Sequence, residues 1–233
     1  MTKTLGAVFR DLSFGPLSNL SIGSEGIGTI AGVQQDRVVS LVNQGTRWLY
    51  ARFIIYRKEL FIETIEGRKK YPLKVEHADS VAGGGEKYIK DSSANPFTGD
   101  LLRILAVWDP EGHETPLNML GEETSLRTPN PYTLLIPEFE PGTLYRVAYQ
   151  AAPEPLLTTD EEQELYLPEP LYEALEAFVA HKVFRSMNGE EHRRQAIDQF
   201  NTFEGICNEL INNDLAKESH NSGYTKLEDR GFV

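Results

Sequence analysis

The stretch that decides the fold begins Leu167-Pro168-Glu169-Pro170-Leu171-Tyr172-Glu173-Ala174-Leu175 and runs to Met187, where Asn188-Gly189 interrupts it. Proline near a first helical turn costs little, because its missing N–H has no intrahelical partner there anyway. Leu171, Leu175, Phe178, Val179, Val183 and Met187 then recur at helical spacing. The spacing predicts a helix over 168–187, and the Asn-Gly pair supplies its stop. A second helix is predicted over 190–216, with Ile197, Phe200, Phe203, Ile206, Cys207, Leu210, Ile211 and Leu215 as its apolar stripe. Two helices joined by so short a turn pack antiparallel.

Upstream of this hairpin, Pro153 to Glu164 is Pro-rich and then acidic, a connection rather than an element. Before it the apolar period is two. Glu59–Ile65 and Lys70–Val75 flank Glu66-Gly67-Arg68-Lys69 and read as a β-hairpin with glycine in its turn. Leu101–Trp108 reads as a strand, followed by the turn Asp109-Pro110-Glu111-Gly112 and a partner around His113–Leu117. Tyr132–Ile136 and Thr143–Tyr149 complete a small antiparallel β lobe over 59–150. Between them the polar stretch 76–99, with Gly83-Gly84-Gly85, is long for a structureless loop, and such loops are usually functional or disordered.

Further upstream the period returns to that of a helix, over 33–53. Val38, Leu41, Val42, Trp48, Leu49 and Phe53 form its stripe, and Gly45 on that stripe leaves room for another backbone to approach. Residues 1–32 read as an arm with one short helix (Leu5, Val8, Phe9, Leu12) and a Gly/Ser-rich extension. Residues 218–233 read as an extended tail. The expected class is therefore α+β: a helical bundle, the N-terminal helix with the C-terminal antiparallel hairpin, a small antiparallel β lobe inserted in it, and extended termini. Residues 33–217 are read as one domain, with Trp48, Leu175, Phe178, Phe200 and Ile206 in one helical core.

With 23 basic and 35 acidic residues the net charge is −12. Such a surface repels phosphate backbones, which argues against sequence-independent nucleic-acid binding as the main task. The single cysteine, Cys207, excludes an intramolecular disulfide and fits a reducing compartment. The N-terminus lacks the apolar run of a signal peptide, and no stretch approaches a membrane helix, so a cytoplasmic, membrane-free protein is expected.

Residues that carry chemistry are missing in the patterns chemistry needs. The histidines His77, His113, His181, His192 and His220 have no metal-ligand spacing, and His181 reads as a solvated residue. Gly23-Ser24-Glu25-Gly26-Ile27-Gly28 has the wrong order for a dinucleotide fingerprint, and Gly83-Gly84-Gly85-Glu86-Lys87 lacks the ending of a phosphate loop. Cys207 sits on an apolar stripe, where a thiol behaves as a small hydrophobe. The runs Asp160-Glu161-Glu162 and Glu122-Glu123 lie in polar segments that would not raise a carboxyl pKa for glycoside hydrolysis. No catalytic, cofactor-binding or metal-binding residue is assigned, no cofactor is expected, and the chain does not read as an enzyme.

A series of short strings, in order, gives the chain a family likeness. It starts with the arm Leu17-Ser18-Asn19-Leu20 and the helix Val39-Ser40-Leu41-Val42-Asn43-Gln44-Gly45, which leads to Leu49-Tyr50-Ala51-Arg52-Phe53. Tyr71-Pro72-Leu73 follows, then Asn95-Pro96-Phe97-Thr98-Gly99-Asp100-Leu101-Leu102-Arg103-Ile104-Leu105, the turn 109–112, Pro116-Leu117-Asn118, and the hairpin from Leu167 to Asn188. In this order the chain resembles the head-to-tail adaptor, or connector, proteins of tailed bacteriophages over nearly its whole length. The resemblance implies a virion structural protein at the head–tail junction, assembled in the host bacterial cytoplasm. It implies a ring of copies, expected twelvefold, bound to the portal protein above and to tail nozzle or tail tube proteins below. DNA would pass through without specific binding. Another neck or tail component, a nozzle subunit or head-completion protein, is the alternative, and a phage cell-wall hydrolase the more distant one. An acidic subunit repels itself on ring closure, so the isolated chain is expected to be mostly monomeric and to form its ring on the portal.

The tail has its own pattern. Tyr224, Leu227, Phe232 and Val233 recur among the charges Lys226, Glu228, Asp229 and Arg230. Apolar side chains on a polar segment serve as anchors for a partner's pockets. Tyr224, Leu227, Arg230, Phe232 and Val233 are the candidate partner-binding residues, expected to dock on the portal or a neighbouring subunit.

Overall fold

The computed structural model describes residues 2–18, 30–83, 85–92, 94–119, 125–157 and 160–213. The arm residues 19–29, the acid pair Glu122-Glu123, Leu215 and the tail with its five candidate residues lie outside them. The fold is α+β and includes the C-terminal helical hairpin. The chain divides into two compact units, residues 1–55 with 154–233 and residues 56–153. The expected single domain over 33–217 thus spans both. The physical reason is that the β lobe has a closed core: its cluster of buried residues runs from Leu60 to Ala151 and draws only on that stretch.

In the first unit, strand β1 (Thr2–Thr4) leads into helix α1 (Leu5–Phe14), whose buried residues are Leu5, Val8, Phe9 and Leu12. Thr4 caps the helix by accepting a hydrogen bond from the Ala7 N–H at 3.2 Å. Helix α2 spans Gly32–Arg52. After the second unit come strand β9 (Glu164–Tyr166), helix α3 (Glu169–Arg185) and helix α4 (Glu190–Asn212). β1 and β9 form a two-stranded antiparallel sheet.

Helix α3 is the core of this unit. Beyond the apolar residues of its sequence pattern, Tyr172, Ala174, Ala177, Ala180 and Phe184 are also buried, so the helix is covered on nearly every side. Gly45 of α2 faces it. A Cβ there would stand 2.7 Å from a Leu175 methyl and 2.8 Å from the Phe178 ring, so side chains of α3 fill the space that was expected to admit a backbone.

Helix α4 departs further from its sequence reading. Ala196, Phe203, Cys207 and Leu210 are buried, and Ile206 is half-buried, but Ile197, Phe200 and Ile211 are exposed. Trp48 of α2 is also exposed. The expected core of Trp48, Leu175, Phe178, Phe200 and Ile206 is therefore corrected: Leu175 and Phe178 are buried, and Trp48 and Phe200 lie at the surface. The stripe of α4 is too wide for one helix neighbour to cover.

Among the described residues, the second unit holds two antiparallel sheets. Strands β2 (Arg57–Glu63), β4 (Ile89–Lys90), β5 (Leu101–Trp108) and β8 (Leu144–Ala151) make one, in the order β4-β2-β8-β5. Strands β3 (Lys70–Pro72), β6 (Arg127–Asn130) and β7 (Thr133–Leu135) make the other, in the order β3-β7-β6. The expected hairpin of 59–65 with 70–75 does not pair with itself. Its turn exists, with Gly67 at φ +75° and the Arg68 N–H bonded to the Ile65 carbonyl, but its two strands enter different sheets. Tyr71 explains the divergence. Its fully buried hydroxyl plugs the turn, accepting from the Ile65 N–H at 2.9 Å and donating to the Arg68 carbonyl at 2.6 Å. The expected strand at 113–117 contributes isolated bridges, Trp108 with Glu114 and Leu117 with Leu126.

The polar stretch 76–99 is built into the core. Ala78, Tyr88, Ile89 and Phe97 are buried, and Ile89–Lys90 adds β4 to the edge of β2. The Asp91 carboxylate ties the stretch together, accepting from the backbone N–H groups of Ser80 and Phe97, each at 2.8 Å. Partial burial pushes the Asp91 carboxyl up, but the bonds from Ser80 and Phe97 outweigh it and hold it below its ordinary range.

Candidate functional site

Of the groups that sequence reading weighed for chemistry, Gly23–Gly28, Glu122-Glu123 and His220 lie outside the described residues. Cys207 faces inward from α4, and burial pushes its thiol up to about 11, which leaves it protonated and inert near neutrality. His181 is corrected from solvated residue to structural tie: its Nδ1 bonds the Ala196 carbonyl at 2.8 Å, linking α3 to α4, and its ring tilts against Phe200. His77 stacks on Tyr88 with ring centroids 4.5 Å apart. Among the described residues no group of three or more His, Cys, Asp or Glu is placed to hold a metal ion. No helix among them is long and apolar enough to cross a membrane. Asp160, Glu161 and Glu162 are all exposed.

Among the described residues, the one carboxyl held above its ordinary range is Glu176 on α3, which sequence reading passed over. Burial is the main cause, with the nearby Asp11 carboxylate adding to it and Lys3 offsetting it. Lys3 itself bonds Asp11 at 2.7 Å and lies 4.8 Å from the Tyr172 ring centre. The group fastens the N-terminal strand to α3. The signal for Glu176 was available: it is an acid three residues past Glu173 on a helix otherwise apolar from Ala174 to Ala180.

The clearest functional feature is a surface. Ile197, Phe200 and Ile211 on α4, at 54%, 41% and 48% exposure, share one side of the helix, and Trp48 of α2 joins them at 42%. Trp48 packs edge-on against the buried Phe203 at 5.2 Å, which anchors its ring while leaving part of it wet. Arg52 lies over the Trp48 ring at 5.4 Å and ties α2 to α4, donating to Glu204 at 2.9 Å and to Asn208 at 2.7 Å. Glu204 and Asn208 fall on the same side between Phe200 and Ile211, so the apolar residues of this side are interrupted there by the ties to Arg52.

Comparison with known protein families and with curated proteins finds no match. A strip of tryptophan, phenylalanine and isoleucine beside a fixed arginine has the composition of binding hot spots, where large rigid side chains desolvate against a partner. Sequence periodicity found these residues but assigned them to the core. What it lacked was the number of neighbours, since among the described residues α3 is the only helix against which α4 packs extensively.

Proposed function

We propose that this chain is a head-to-tail adaptor of a tailed bacteriophage, a structural protein that forms a ring beneath the portal, joins capsid to tail and surrounds the DNA passage. The observation that carries the reading is the exposure of Trp48, Ile197, Phe200 and Ile211, with the Trp48 ring held by Phe203 and Arg52. Exposed large apolar side chains are tolerated when a partner covers them, and an assembly protein has such partners on several sides. The order of adaptor-like strings over the chain supports the same class. The partners are the portal protein, the tail nozzle or tail tube, and further copies of the chain. The tail residues Tyr224, Leu227, Arg230, Phe232 and Val233 are proposed to dock on the portal or on a neighbouring copy.

The test is reconstitution with purified portal, followed by electron microscopy of the sedimented complex. A ring of this chain on one face of the portal is the expected result, and Trp48→Glu with Phe200→Glu should prevent it. Deleting residues 218–233 should weaken attachment while leaving the melting temperature of the free subunit nearly unchanged. Failure of the intact chain to bind portal under any ionic condition refutes the proposal.

A further inference from the structure

The outward face of the four-stranded sheet departs from the acidic character of the rest. Strand register puts Trp108 opposite Arg146, Arg146 opposite Phe61, and Phe61 opposite Lys90, an aromatic–cation row across all four strands. Two residues along each strand, Ala106 faces Ala148 and Ala148 faces Glu59. In the next row Arg103 and Arg57 flank Gln150. The small middle row leaves space that the Trp108 ring fills. Its centre lies 4.3 Å from the Arg146 guanidinium and 5.3 Å from that of Arg57, which reaches it across Ala148, and Ala148 is fully buried. Arg103 donates to Gln150 at 2.7 Å.

Two arginines therefore flank one tryptophan on this sheet face, and a third, Arg103, lies beside Gln150 two rows away. Lys90 is already paired, with Glu63 at 2.8 Å and Asp79 at 3.2 Å, and Arg146 lies 3.8 Å from Glu59; among the described residues Arg57 and Arg103 have no ion-pair partner. Their guanidinium planes are held by the ring or by Gln150, so little rotamer freedom remains to be lost on binding. This is a pre-organised cationic surface seeking an anion.

The same chain carries its counterpart. From Val147 to His181 there is no lysine or arginine, while Glu154, Asp160, Glu162, Glu164, Glu169 and Glu173 are exposed. Tyr166, 48% exposed, stands in the middle of them. We propose that the Arg57–Arg103–Arg146–Trp108 face binds the acidic face of Asp160, Glu162, Glu164, Glu169 and Glu173 on a second copy of this chain. The two patches differ, so the contact is heterologous, and such contacts run head to tail and close into a ring when the rotation allows. The proposal rests on the adaptor reading only in taking that array to be the ring. Exposed ion pairs are individually weak and screened by salt, so the contact forms at high local concentration and fades as ionic strength rises.

The experiment is sedimentation velocity of the full chain at rising concentration, in ~20 mM and in ~500 mM salt, where the screening length differs several-fold. The wild type should self-associate in low salt and not in high. Arg103→Glu with Arg146→Glu, and separately Glu162→Lys with Glu164→Lys, should each weaken self-association by about tenfold or more. Mixing the two reversed proteins should restore association between them, which misfolded variants would not do. Unchanged association in either variant, no rescue on mixing, or a wild type that stays monomeric in low salt overturns the interface. So does a DNA duplex that binds the wild type and not the arginine variant in the absence of self-association. If both reversed variants still form wild-type rings on the portal, the interface falls and the adaptor reading stands. If charge-swapped association is seen but portal is never bound, the adaptor reading falls and the interface stands.

Discussion

The two units bury their interiors by different means. The helical unit wraps α1, α2 and α4 around α3, whose buried positions are all carbon-rich apart from the Tyr172 hydroxyl. The β unit closes two sheets over a core that includes tyrosines whose hydroxyls hold turns and strand ends: Tyr71 bridges Ile65 and Arg68, and Tyr88 donates to the Pro72 carbonyl at 2.7 Å. Volume limits the first unit, and hydrogen-bond satisfaction limits the second. A lost methylene leaves a cavity in one, whereas a lost hydroxyl leaves an orphaned backbone group in the other.

The largest expected effect is in the helical unit. Phe178 is buried against Phe203 at 5.4 Å, and Phe178→Ala should cost ~3–5 kcal/mol in chemical denaturation. A loss below ~1 kcal/mol would mean that α3 is not the filled centre of that unit.

Tyr71→Phe is the matching probe of the β unit. It preserves the ring and strands the Ile65 N–H, and it should cost ~1–3 kcal/mol. Hydrogen exchange at Ile65 should accelerate more than exchange at α3; equal protection in both variant and wild type would remove the distinction between the units.

Acid sharpens the contrast with opposite signs. Glu176 has a folded pKa above its unfolded value of 4.5, so the penalty for ionising it in place is full above the folded pKa and is relieved as pH falls through it. Asp91 has a folded pKa below its unfolded value of 3.8, so its contribution is present above that value and is lost as pH falls further. Glu176→Gln should therefore stabilise at neutral pH and flatten the rise on mild acidification. Asp91→Asn should remove part of the loss below pH ~3.8. Side-chain carboxyl shifts followed by NMR would check both directions.

The smallest expected effect lies on the surface strip. Phe200→Ala, at 41% exposure, should cost far less than Phe178→Ala, within about 1 kcal/mol, because half the ring already meets water. A loss equal to that of Phe178 would return Phe200 to the core.

Legibility in the sequence followed the range of the contacts. Helices α1 to α4 were readable because a helix bonds within itself, and Asn188-Gly189 announces the turn of the hairpin. β5 was readable end to end from Leu101 to Trp108. Pairing was not, because β2 lies beside β8, some ninety residues away, and its near neighbour β3 joins another sheet. Local alternation marks a strand but cannot name its partner. Loop 76–99 was misread for a related reason: Tyr88, Ile89 and Phe97 are spaced among glycines and charges, and only the closed core shows that they are inside it. In the site, Trp48 and Phe200 looked like core because periodicity reports a face and not whether anything covers it. The arginine face is a cross-strand pattern, and it becomes visible only when Arg103, Gln150 and Arg57 are aligned by register.

The β unit leaves and rejoins the chain through neighbouring strands, with the Ala151 N–H bonded to the Tyr56 carbonyl at 3.0 Å. During synthesis this sets an order of events. Residues 2–52 leave the ribosome before α3 exists, so α1 and α2 have nothing to wrap and β1 has no β9 to pair with. Residues 56–153 emerge next with every strand of both their sheets, and are the first part of the chain able to complete a core. Only when α3 follows can the waiting N-terminal helices settle. The inserted unit is thus the older structure on each nascent chain, and Leu5, Val8, Val38 and Leu49, buried in the finished fold, wait longest for their cover.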